Sequence, residues 1–471
     1  MIKFITIINF TMYSLKLFLF CSLLFLLGCS LPKVVKPKPN IIFLLADDMG
    51  YGDVNFIGNA TETPNLNRLA TDGVFFNNFY SAAPNCSPSR VGLLTGKAPE
   101  KTGMYSYRPA NHPMHLPDEE STIAEFLKTK GYQTAHFGKW GMGSNPSVFG
   151  YDVSDGPTKN KDGNFDNNRS QWKHVFKKDP KNIFSLTDRA IEFIDSIKEE
   201  EKPFYLQISH YAVHSNVESK EKSYASLKDK PIGAQQKDLG FAAMTFDLDE
   251  GLGLLLNKIK ELEIEDNTYI IYMSDNGSVP NIPGAKKYEK SYNFPLSRGK
   301  WDAYEGGVRV PLIIAGPGIK NDTESATPVS GSDLLPTIID LAGNKTIALT
   351  EIDGGSFAPI LLNENNKKIK RAVDGIFFHV PYKNGIALKR PHSAVRKGDY
   401  KLIKFQDDKS ILLFNLVKDK MEQLNLATQK PEKVKELEKI LDNYLTEVNA
   451  PKWQDGITWK NTPLKEINSN Y

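Results

Sequence analysis

The chain has 471 residues, of which 40% are hydrophobic and 24% are charged. This length and composition are typical of a soluble globular protein with room for two or three domains and a large core. Basic residues number 59 and acidic residues 56, for a net charge of +3. The total charge therefore gives no reason to expect a nucleic-acid partner.

The first 39 residues are predicted to lie outside the fold. Lys16 precedes an apolar run over residues 17–27, which is too short for an ordinary transmembrane helix. The run ends in Leu-Leu-Gly-Cys29-Ser and resembles a bacterial lipobox, in which the Cys is diacylated and becomes the first residue of the mature protein. We expect a lipoprotein signal peptide and lipobox at 1–29, an extended tether at 30–39, and a lipid anchor in the membrane of a bacterial envelope (periplasm or outer membrane). The alternative is a secretory signal in which Cys29 is incidental.

Downstream of the tether, apolar runs alternate with segments of helical periodicity. Unalternating runs at 41–45 and 269–273 suit strands that are buried on both faces of a largely parallel sheet. We expect an α/β domain over residues 40–365, with a large, mixed but mostly parallel sheet flanked by helices. Its predicted strands are 40–46, 132–137, 203–209, 268–274 and 310–315, and its predicted helices are 121–130, 187–198, 240–262 and 333–341.

The last quarter of the chain has a different pattern. Short strands separated by turn residues indicate an antiparallel sheet, followed by an amphipathic helix at 431–447 with Pro431 in its first turn. The polar stretch 363–368 predicts a boundary near residue 365, so that 366–471 forms a smaller C-terminal subdomain. The predicted strands there are 372–379, 392–396, 400–405 and 410–415.

Polar side chains directly follow two of the buried strands. Asp47 and Asp48 follow the first strand, and Asp275 and Asn276 follow the strand at 268–274. In open α/β sheets, ligands gather at the carboxyl ends of strands. Three carboxylates and an amide are hard oxygen donors, which suit Ca²⁺ better than Zn²⁺. Taken singly, each acidic residue is more often a turn former or a helix cap.

Cys86 is the only free thiol expected in the mature body, because Cys21 leaves with the signal peptide and Cys29 carries lipid. Exported proteins normally pair their cysteines or avoid them, which favours a chemical role here. Ser87 and Pro88 are typical of an N-cap and a first helical residue. A helix beginning there directs N–H groups at an anion beside Cys86, and Arg90 suits oxyanions. The alternative is a half-buried structural cysteine before a helix.

The segment Cys86-Ser-Pro-Ser-Arg90, followed by Leu-Thr-Gly, resembles the signature of the formylglycine-dependent sulfatases, in which Cys-x-Pro-x-Arg is recognised for oxidation of the Cys. Most of the mature chain is similar to this family, whose fold is that of the alkaline phosphatase superfamily: a large α/β domain with a smaller C-terminal antiparallel sheet. The other matching stretches are 40–51, 63–70, Gly-Lys-Trp at 138–140, 300–311 with Trp301 in place of a Gly, and 413–425.

The resemblance implies a sulfuric ester hydrolase that acts on sulfated carbohydrate. A formylglycine-generating or sulfatase-maturating enzyme would convert Cys86 into formylglycine, whose hydrated gem-diol attacks sulfur and also binds calcium. The implied calcium ligands are Asp47, Asp48, Cys86, Asp275 and Asn276. The implied sulfate-binding residues are Arg90, Lys139 and Lys300, and His214 would assist the leaving group alongside Lys300.

One position departs from the family pattern. The family has His directly after Gly-Lys-Trp, where it deprotonates the second hydroxyl of the gem-diol, and this chain has Gly141. No replacement can be assigned from the sequence, although His112, His115, His136 and His210 lie in neighbouring segments. Two other functions stay open: a phosphodiesterase or phosphonate hydrolase of the same superfamily, and a sulfated-glycan-binding lipoprotein without turnover.

Overall fold

A computed structural model of the chain describes residues 37–57, 61–106, 115–166, 168–200, 202–230, 238–279, 293–343, 352–363, 368–383 and 390–453. The described residues from Pro39 onward belong to one compact unit. The predicted signal peptide and most of the tether lie outside the described residues. So does the predicted boundary near residue 365, which therefore stays a prediction.

The strands and helices follow the chain order below. The strands are β1 (Asn40–Ala46), β2 (Gly73–Phe76), β3 (Phe79–Tyr80), β4 (Gln133–Gly138), β5 (Val153–Ser154), β6 (Val175–Phe176), β7 (Phe204–Ser209), β8 (Glu218–Ser219), β9 (Thr268–Ser274), β10 (Leu312–Ala315), β11 (Thr323–Ser325), β12 (Val329–Ser330), β13 (Ile376–Val380), β14 (His392–Lys397), β15 (Tyr400–Phe405) and β16 (Ile411–Asn415). The α-helices are α1 (Pro64–Thr71), α2 (Cys86–Thr95), α3 (Ile123–Lys128), α4 (Ile183–Ile197), α5 (Glu221–Leu227), α6 (Leu239–Glu261), α7 (Glu305–Val308), α8 (Leu334–Leu341), α9 (Ala358–Leu361) and α10 (Pro431–Glu447).

A large mixed sheet forms the centre of the fold. Within the described residues it has eight strands in the order β11-β2-β10-β9-β1-β7-β4-β5. β1 pairs in parallel with β7 on one side and with β9 on the other. Every residue of β1, β7 and β9 is buried, because helices cover both faces of the sheet. The unalternating apolar runs are thus explained, and the predicted fold class is confirmed.

The strand β10 accounts for the mixed character of the sheet. It runs antiparallel to both β9 and β2, while β11 pairs in parallel with β2. β1, β7 and β9 point the same way, so their carboxyl ends lie at one edge. Asp47, Asp48, Asp275 and Asn276 therefore leave the sheet side by side.

The predicted C-terminal antiparallel sheet is confirmed as β13-β14-β15-β16. One face packs against α10, where Leu437 and Leu441 join Val395, Leu402 and Leu413 in an apolar cluster. The other face packs against residues of the preceding part of the chain, among them Tyr80, Ala303 and Val308.

A buried group of charged side chains, with one tyrosine, joins the C-terminal sheet to α7 and β3. Lys401 Nζ on β15 lies 2.9 Å from Glu305 Oε1 and 3.0 Å from Glu422 Oε1. Tyr80 Oη on β3 donates to Glu305 Oε2 over 2.7 Å. All four side chains are buried, so each charge depends on its partners rather than on water.

None of the helices described here combines the length and the apolar character that crossing a bilayer requires.

Candidate active site

The carboxylates predicted to bind a metal converge at the carboxyl edge of the sheet. Single oxygens of Asp47, Asp48 and Asp275 lie within 4.8 Å of one another, and all three residues are buried. The backbone N–H of Asp48 donates to Asp275 Oδ1 over 3.1 Å, and Asn276 Nδ2 donates to Asp48 Oδ1 over 2.8 Å. The ends of β1 and β9 thus assemble the predicted oxygen ligands into one cluster.

Two oxygens of this cluster fit a cation ligand role. Within the described residues, Asp47 Oδ1 and Asn276 Oδ1 are buried and have no hydrogen-bond partner. A buried acceptor without a donor costs about 1–3 kcal/mol, and a bound cation would remove that cost. The donors are carboxylate and amide oxygens, which suit a hard divalent ion such as calcium. The residues present therefore fit the metal that the resemblance implies.

Three buried cations surround the carboxylates. Lys139 Nζ lies 2.6 Å from Asp47 Oδ2, Lys300 Nζ lies 2.5 Å from Asp48 Oδ1, and Arg90 Nη2 lies 2.8 Å from Asp275 Oδ2. Three positive charges thus balance three negative charges before any metal binds. A divalent cation would bring the site to +2, which would attract an anionic substrate group.

The cations and burial act in opposite directions on the carboxylates. Burial alone would raise the pKa of Asp47, but the positive charge of Lys139, with smaller contributions from its other neighbours, holds that pKa below its usual range. Burial raises the pKa of Asp275 to about 6, and the negative charge of Asp47 adds to the rise. The site is therefore a strongly coupled group of charges with little access to water.

Cys86 opens the helix α2, and here the structure corrects a prediction. The N-cap is Asn85 and the helix begins at Cys86, so Ser87 and Pro88 lie inside the first turn. Asn85 is extended, and its Nδ2 donates to Tyr382 Oη over 2.7 Å instead of the side chain capping the helix. Pro88 is tolerated there because the N–H groups of a first turn lack intrahelical partners. Cys86 itself is buried.

The loop after β4 is attached to the start of α2. Arg90 Nη1 donates to the carbonyl of Lys139 over 2.7 Å, and Ser87 Oγ donates to the carbonyl of Gly141 over 3.0 Å. Arg90 Nε donates to Asp275 over 3.0 Å. Hydrogen bonds therefore hold the start of α2 and the Gly-Lys-Trp segment together beside Cys86.

His214 lies over the carboxylates on a segment that is bonded to Asp47 through the backbone. Its Nδ1 is 2.8 Å from the carbonyl oxygen of Ser215, and because a carbonyl only accepts, Nδ1 carries the proton. The Nε2 atom is 3.7 Å from Asp48 Oδ2. Burial lowers the pKa of His214 to about 4 in spite of the nearby Asp48 and Asp47. Its free nitrogen faces the predicted metal cluster.

Gly141 has a left-handed backbone with φ +74, and a Cβ there would meet its nearest atom, Lys139 Cε, at 3.7 Å. Space for a side chain therefore exists even though the backbone favours glycine.

The nearby histidines differ in their surroundings. His136 is fully buried between the rings of Trp140 and Tyr151, with Nε2 3.1 Å from Ser209 Oγ. This packing favours a structural role. His210 is also buried, and burial lowers its pKa to about 4. His115 is exposed, and His112 lies outside the described residues.

Two residues that the sequence did not single out reach this site. Lys181 is almost fully buried, and its Nζ donates over 3.1 Å to the carbonyl of Ser215, the same oxygen that binds His214 Nδ1. Burial lowers the pKa of Lys181 to about 8, opposed by Glu218. Tyr382 reaches Asn85 from the C-terminal part of the chain. Neither residue belongs to a recognisable pattern, because a lysine is normally exposed and Tyr382 is 297 positions from its hydrogen-bond partner Asn85 in the chain.

Comparison with known proteins agrees with this geometry. Residues 39–344 match the sulfatase family, and residues 299–451 match the family described as N-sulphoglucosamine sulphohydrolase, C-terminal. The chain belongs to the sulfatase family, a family of sulfuric ester hydrolases in the alkaline phosphatase superfamily.

Individual relatives cover much of the chain. N-acetylgalactosamine-6-sulfatase of Canis lupus familiaris is 34% identical over 69% of this chain, and the match spans 66% of that protein. Ulvan-active sulfatase of Formosa agariphila is 28% identical over 84% of this chain and 78% of that protein. The crystal structure of Ps i-CgsB in complex with k-i-k-neocarrahexaose has a TM-score of 0.75 at 27% identity, over 92% of this chain and 98% of that one.

Proposed function

We propose that this protein hydrolyses sulfate esters of sulfated carbohydrate, with Cys86, once oxidised to formylglycine, as the nucleophile and with calcium at the carboxylate cluster. The observation that carries the proposal is the buried, charge-balanced arrangement of Asp47, Asp48 and Asp275 with three cations at the start of α2. Relatives named as N-acetylgalactosamine-6-sulfatase and ulvan-active sulfatase support the reaction, and a related structure named as a neocarrahexaose complex supports a carbohydrate substrate.

The metal would be held by Asp47, Asp48, Asp275 and Asn276, together with residue 86 itself. When bound, calcium supplies charge neutralisation for sulfate oxygens, and hydrated formylglycine supplies the attacking hydroxyl. Both would act in a buried site, where electrostatic stabilisation is worth more than in water.

The protein side chains have separable tasks in this reaction. Arg90 on α2 and Lys139 after β4 lie beside residue 86. Their charges can neutralise sulfate oxygens there as the S–O bond to the alcohol breaks. His214 Nε2 and Lys300 Nζ both lie at Asp48, within 3.7 Å and 2.5 Å of its oxygens. We assign to this pair the proton transfer to the departing alcohol: Lys300 Nζ carries protons that it can donate, whereas His214 Nε2 must first take one up. The release of sulfate then requires a base, and Gly141 cannot serve.

The first experiment determines the chemical state of residue 86. The chain is expressed with and without a formylglycine-generating or sulfatase-maturating enzyme, and the tryptic peptide containing Cys86 is analysed by mass spectrometry. We expect the aldehyde only in the first sample, with turnover that rises in proportion to its aldehyde content. Turnover by the unmodified thiol protein would contradict the assigned nucleophile.

The second experiment tests the reaction class. The matured protein is assayed with an aryl sulfate, an aryl phosphate diester and a panel of sulfated oligosaccharides. We expect sulfate release from the first and the last. Preference for the phosphate diester would identify a phosphodiesterase, and binding of oligosaccharide without any turnover would identify a binding protein.

We also propose that the mature protein is anchored in the bacterial envelope by lipid on Cys29. The lipobox-like sequence is the support for this proposal, and it lies outside the described residues.

A further inference from the structure

Lys181 is a buried lysine that no step of the proposed reaction uses. It lies just before α4, and only 1% of the residue is exposed. Lysines are rarely buried to this degree unless the ammonium has a partner. Within the described residues Nζ forms no ion pair with a carboxylate, and its hydrogen-bond acceptor is the carbonyl oxygen of Ser215, 3.1 Å away. The ammonium therefore binds a main-chain group one residue from His214.

The backbone that carries Lys181 has a costly conformation. Lys181 has φ +51 and Asn182 has φ +56, so two consecutive residues other than glycine are left-handed. This conformation costs an L-residue free energy and persists only where the surroundings hold it. Here the backbone N–H of Lys181 donates to Glu218 Oε2 over 2.9 Å, and Asn182 Nδ2 donates to the carbonyl of Asp162 over 2.8 Å. The turn is thus fixed on both residues, with the lysine side chain directed into the interior.

The carbonyl of Ser215 joins Lys181 to His214. Its oxygen accepts from Lys181 Nζ and also from His214 Nδ1, which is 2.8 Å away. A carbonyl oxygen has two lone pairs, so both donors can bind at once. The Ser215 side chain is held as well, because its Oγ donates to Gln171 Oε1 over 2.9 Å. The ammonium is the stronger of the two donors, since a charged donor forms a stronger hydrogen bond than a neutral imidazole N–H. Lys181 therefore fixes the carbonyl to which the imidazole binds.

The other ring contacts of His214 within the described residues do not distinguish its two nitrogens. The ring of Phe165 packs edge-on against the imidazole, with 4.8 Å between the centroids. Nε2 lies 3.7 Å from Asp48 Oδ2, which is too far for a hydrogen bond. The hydrogen bond to Ser215 is therefore the contact that places the proton on Nδ1 and leaves Nε2 bare on the side of the carboxylates.

We propose that Lys181 is a positioning residue for His214. Its ammonium fixes the Ser215 carbonyl, which keeps the proton on Nδ1 and directs the bare Nε2 at the side of the site where the alcohol departs. Nε2 takes up a proton from solvent and passes it to the alcohol oxygen, so the imidazole returns to its starting form. The consequence for turnover rests on the proposed function, whereas the tautomer and the orientation of His214 do not.

Nitrogen NMR of the full chain in calcium tests the placement without any turnover. Histidines labelled with the heavy nitrogen isotope report which ring nitrogen carries the proton, and the signals of His214 are those lost in His214→Gln. In the wild type at neutral pH we expect a protonated Nδ1 and a bare Nε2. In Lys181→Met we expect a mixture of the two tautomers, because the carbonyl has lost its stronger donor. A wild-type His214 with its proton on Nε2, or an unchanged pattern in Lys181→Met, would overturn the proposal.

Three further variants complete this experiment. Lys181→Arg keeps a charged donor and should keep the wild-type tautomer. Lys178→Met is the matched control for the loss of a nearby positive charge, because Lys178 is exposed, and it should also match the wild type. Lys181→Gln removes the ammonium but keeps a polar side chain, and it takes the place of Lys181→Met if that variant does not fold.

Kinetics test whether the positioning matters for the reaction. For each variant kcat/KM is measured with phenyl sulfate, whose phenol is a poor leaving group, and with para-nitrophenyl sulfate, whose phenol leaves readily. A proton delivered to the departing oxygen matters more for the poor leaving group. We expect Lys181→Met to lower kcat/KM about tenfold or more with phenyl sulfate but only about threefold or less with para-nitrophenyl sulfate, and Lys181→Arg to recover the first rate.

A lysine with a merely structural role would give a different result. Its loss would lower both rates by the same factor, and such an equal loss, or no loss with either substrate, would overturn the proposal. Failure of the proposed function is distinguishable from both, because the wild type would then hydrolyse neither sulfate. The tautomer of His214 in the wild type and in Lys181→Met would still decide whether Lys181 positions the imidazole.

Discussion

The substitution Gly141→His tests both the backbone and the chemistry of the proposed site. The position has φ +74, a left-handed conformation that costs an L-residue about 1–2 kcal/mol. Replacing Gly also restricts the unfolded chain, which offsets about 0.4–1 kcal/mol. The nearest atom to a new Cβ is 3.7 Å away, so the Cβ itself adds no steric cost. We therefore expect a net loss of about 1 kcal/mol.

Thermal unfolding of the variants would measure this loss. The entropy of unfolding is about 2 cal/mol/K per residue, so in a unit of roughly 400 residues 1 kcal/mol lowers Tm by only about 1–2 °C. Gly141→Ala should show the same small change as Gly141→His, because the backbone is its cause. Gly138→Ala is the contrasting control, since a Cβ there would lie 2.1 Å from the carbonyl oxygen of Ser209. We expect that variant to fold poorly.

The activity of Gly141→His tests the step that releases sulfate. Without a side chain at this position we expect the covalent sulfate to accumulate, which gives a burst of alcohol followed by a slower steady state. General-base catalysis contributes roughly 10²- to 10⁴-fold, so even an imperfectly placed imidazole should raise the slow phase about tenfold. Stopped-flow assays with an aryl sulfate separate the two phases. Equal slow phases in Gly141→His and Gly141→Ala would show that another group already takes the proton.

Four further predictions concern other parts of the chain. Cys86→Ala should abolish turnover with an unchanged unfolding transition, and Cys86→Ser should match it wherever the host oxidises only Cys; residual sulfatase activity in the Ala variant would identify another nucleophile. Chelation should lower both activity and Tm, and calcium at about 100 times its Kd should restore about 2.7 kcal/mol of the free energy of unfolding. Recovery with zinc but not with calcium would refute the ligand assignment. The free energy of unfolding of His136→Gln should fall less in acid than that of the wild type. Burial lowers the pKa of His136 from 6.5 to about 3, so the unfolded wild type binds a proton at a higher pH than the folded protein does. The stability of the wild type is therefore lost as the pH falls. Between about pH 6.5 and pH 5 the wild type should lose about 2 kcal/mol more of its free energy of unfolding, measured with urea, than the variant does. Parallel pH profiles of the two proteins would contradict this prediction. Cys29→Ser should move the protein into the soluble fraction of a bacterial host, and an unchanged membrane fraction would reject the anchor.

Much of the fold was predictable because burial leaves a direct trace in the sequence. The strand at 268–274 and the helix at 431–447 have the predicted bounds, the first because it is apolar throughout and the second because Pro431 begins an amphipathic run. The direction of β10 was not predictable, since an apolar run looks the same in a parallel and an antiparallel strand. The short strand β2 was missed for a related reason: four residues carry too little periodicity.

In the candidate active site, too, some features could be predicted from the sequence and others could not. Asp47 and Asp275 could be placed together because the carboxyl ends of parallel strands share an edge. The start of α2 was wrong by two positions, because Asn85 is bound to Tyr382, a contact that local sequence cannot show. Lys181 was missed because nothing in its neighbourhood marks a lysine that tertiary packing will bury.

The structure explains one departure from the family pattern, the presence of Trp301 where the family has Gly. The family has Gly at this position, and in the structure Trp301 has φ +79 with its backbone N–H donating to the carbonyl of Pro84. The left-handed backbone explains the usual glycine, whereas the burial of the indole beside Tyr382 shows what this chain gains from a larger side chain.

The buried contacts of Lys401 with Glu305 and Glu422 bear on how this enzyme family could be recombined. A chimera that takes its C-terminal sheet from another sulfatase would insert a foreign side chain at position 401, while Glu305 stays behind in the recipient. Unless the donor sheet also carries a lysine at position 401, Glu305 would stay buried in the interface without its ion pair to that lysine. Crossover points in such chimeras should therefore be chosen by whether this lysine and Glu305 travel together, even though they are 96 residues apart in the chain.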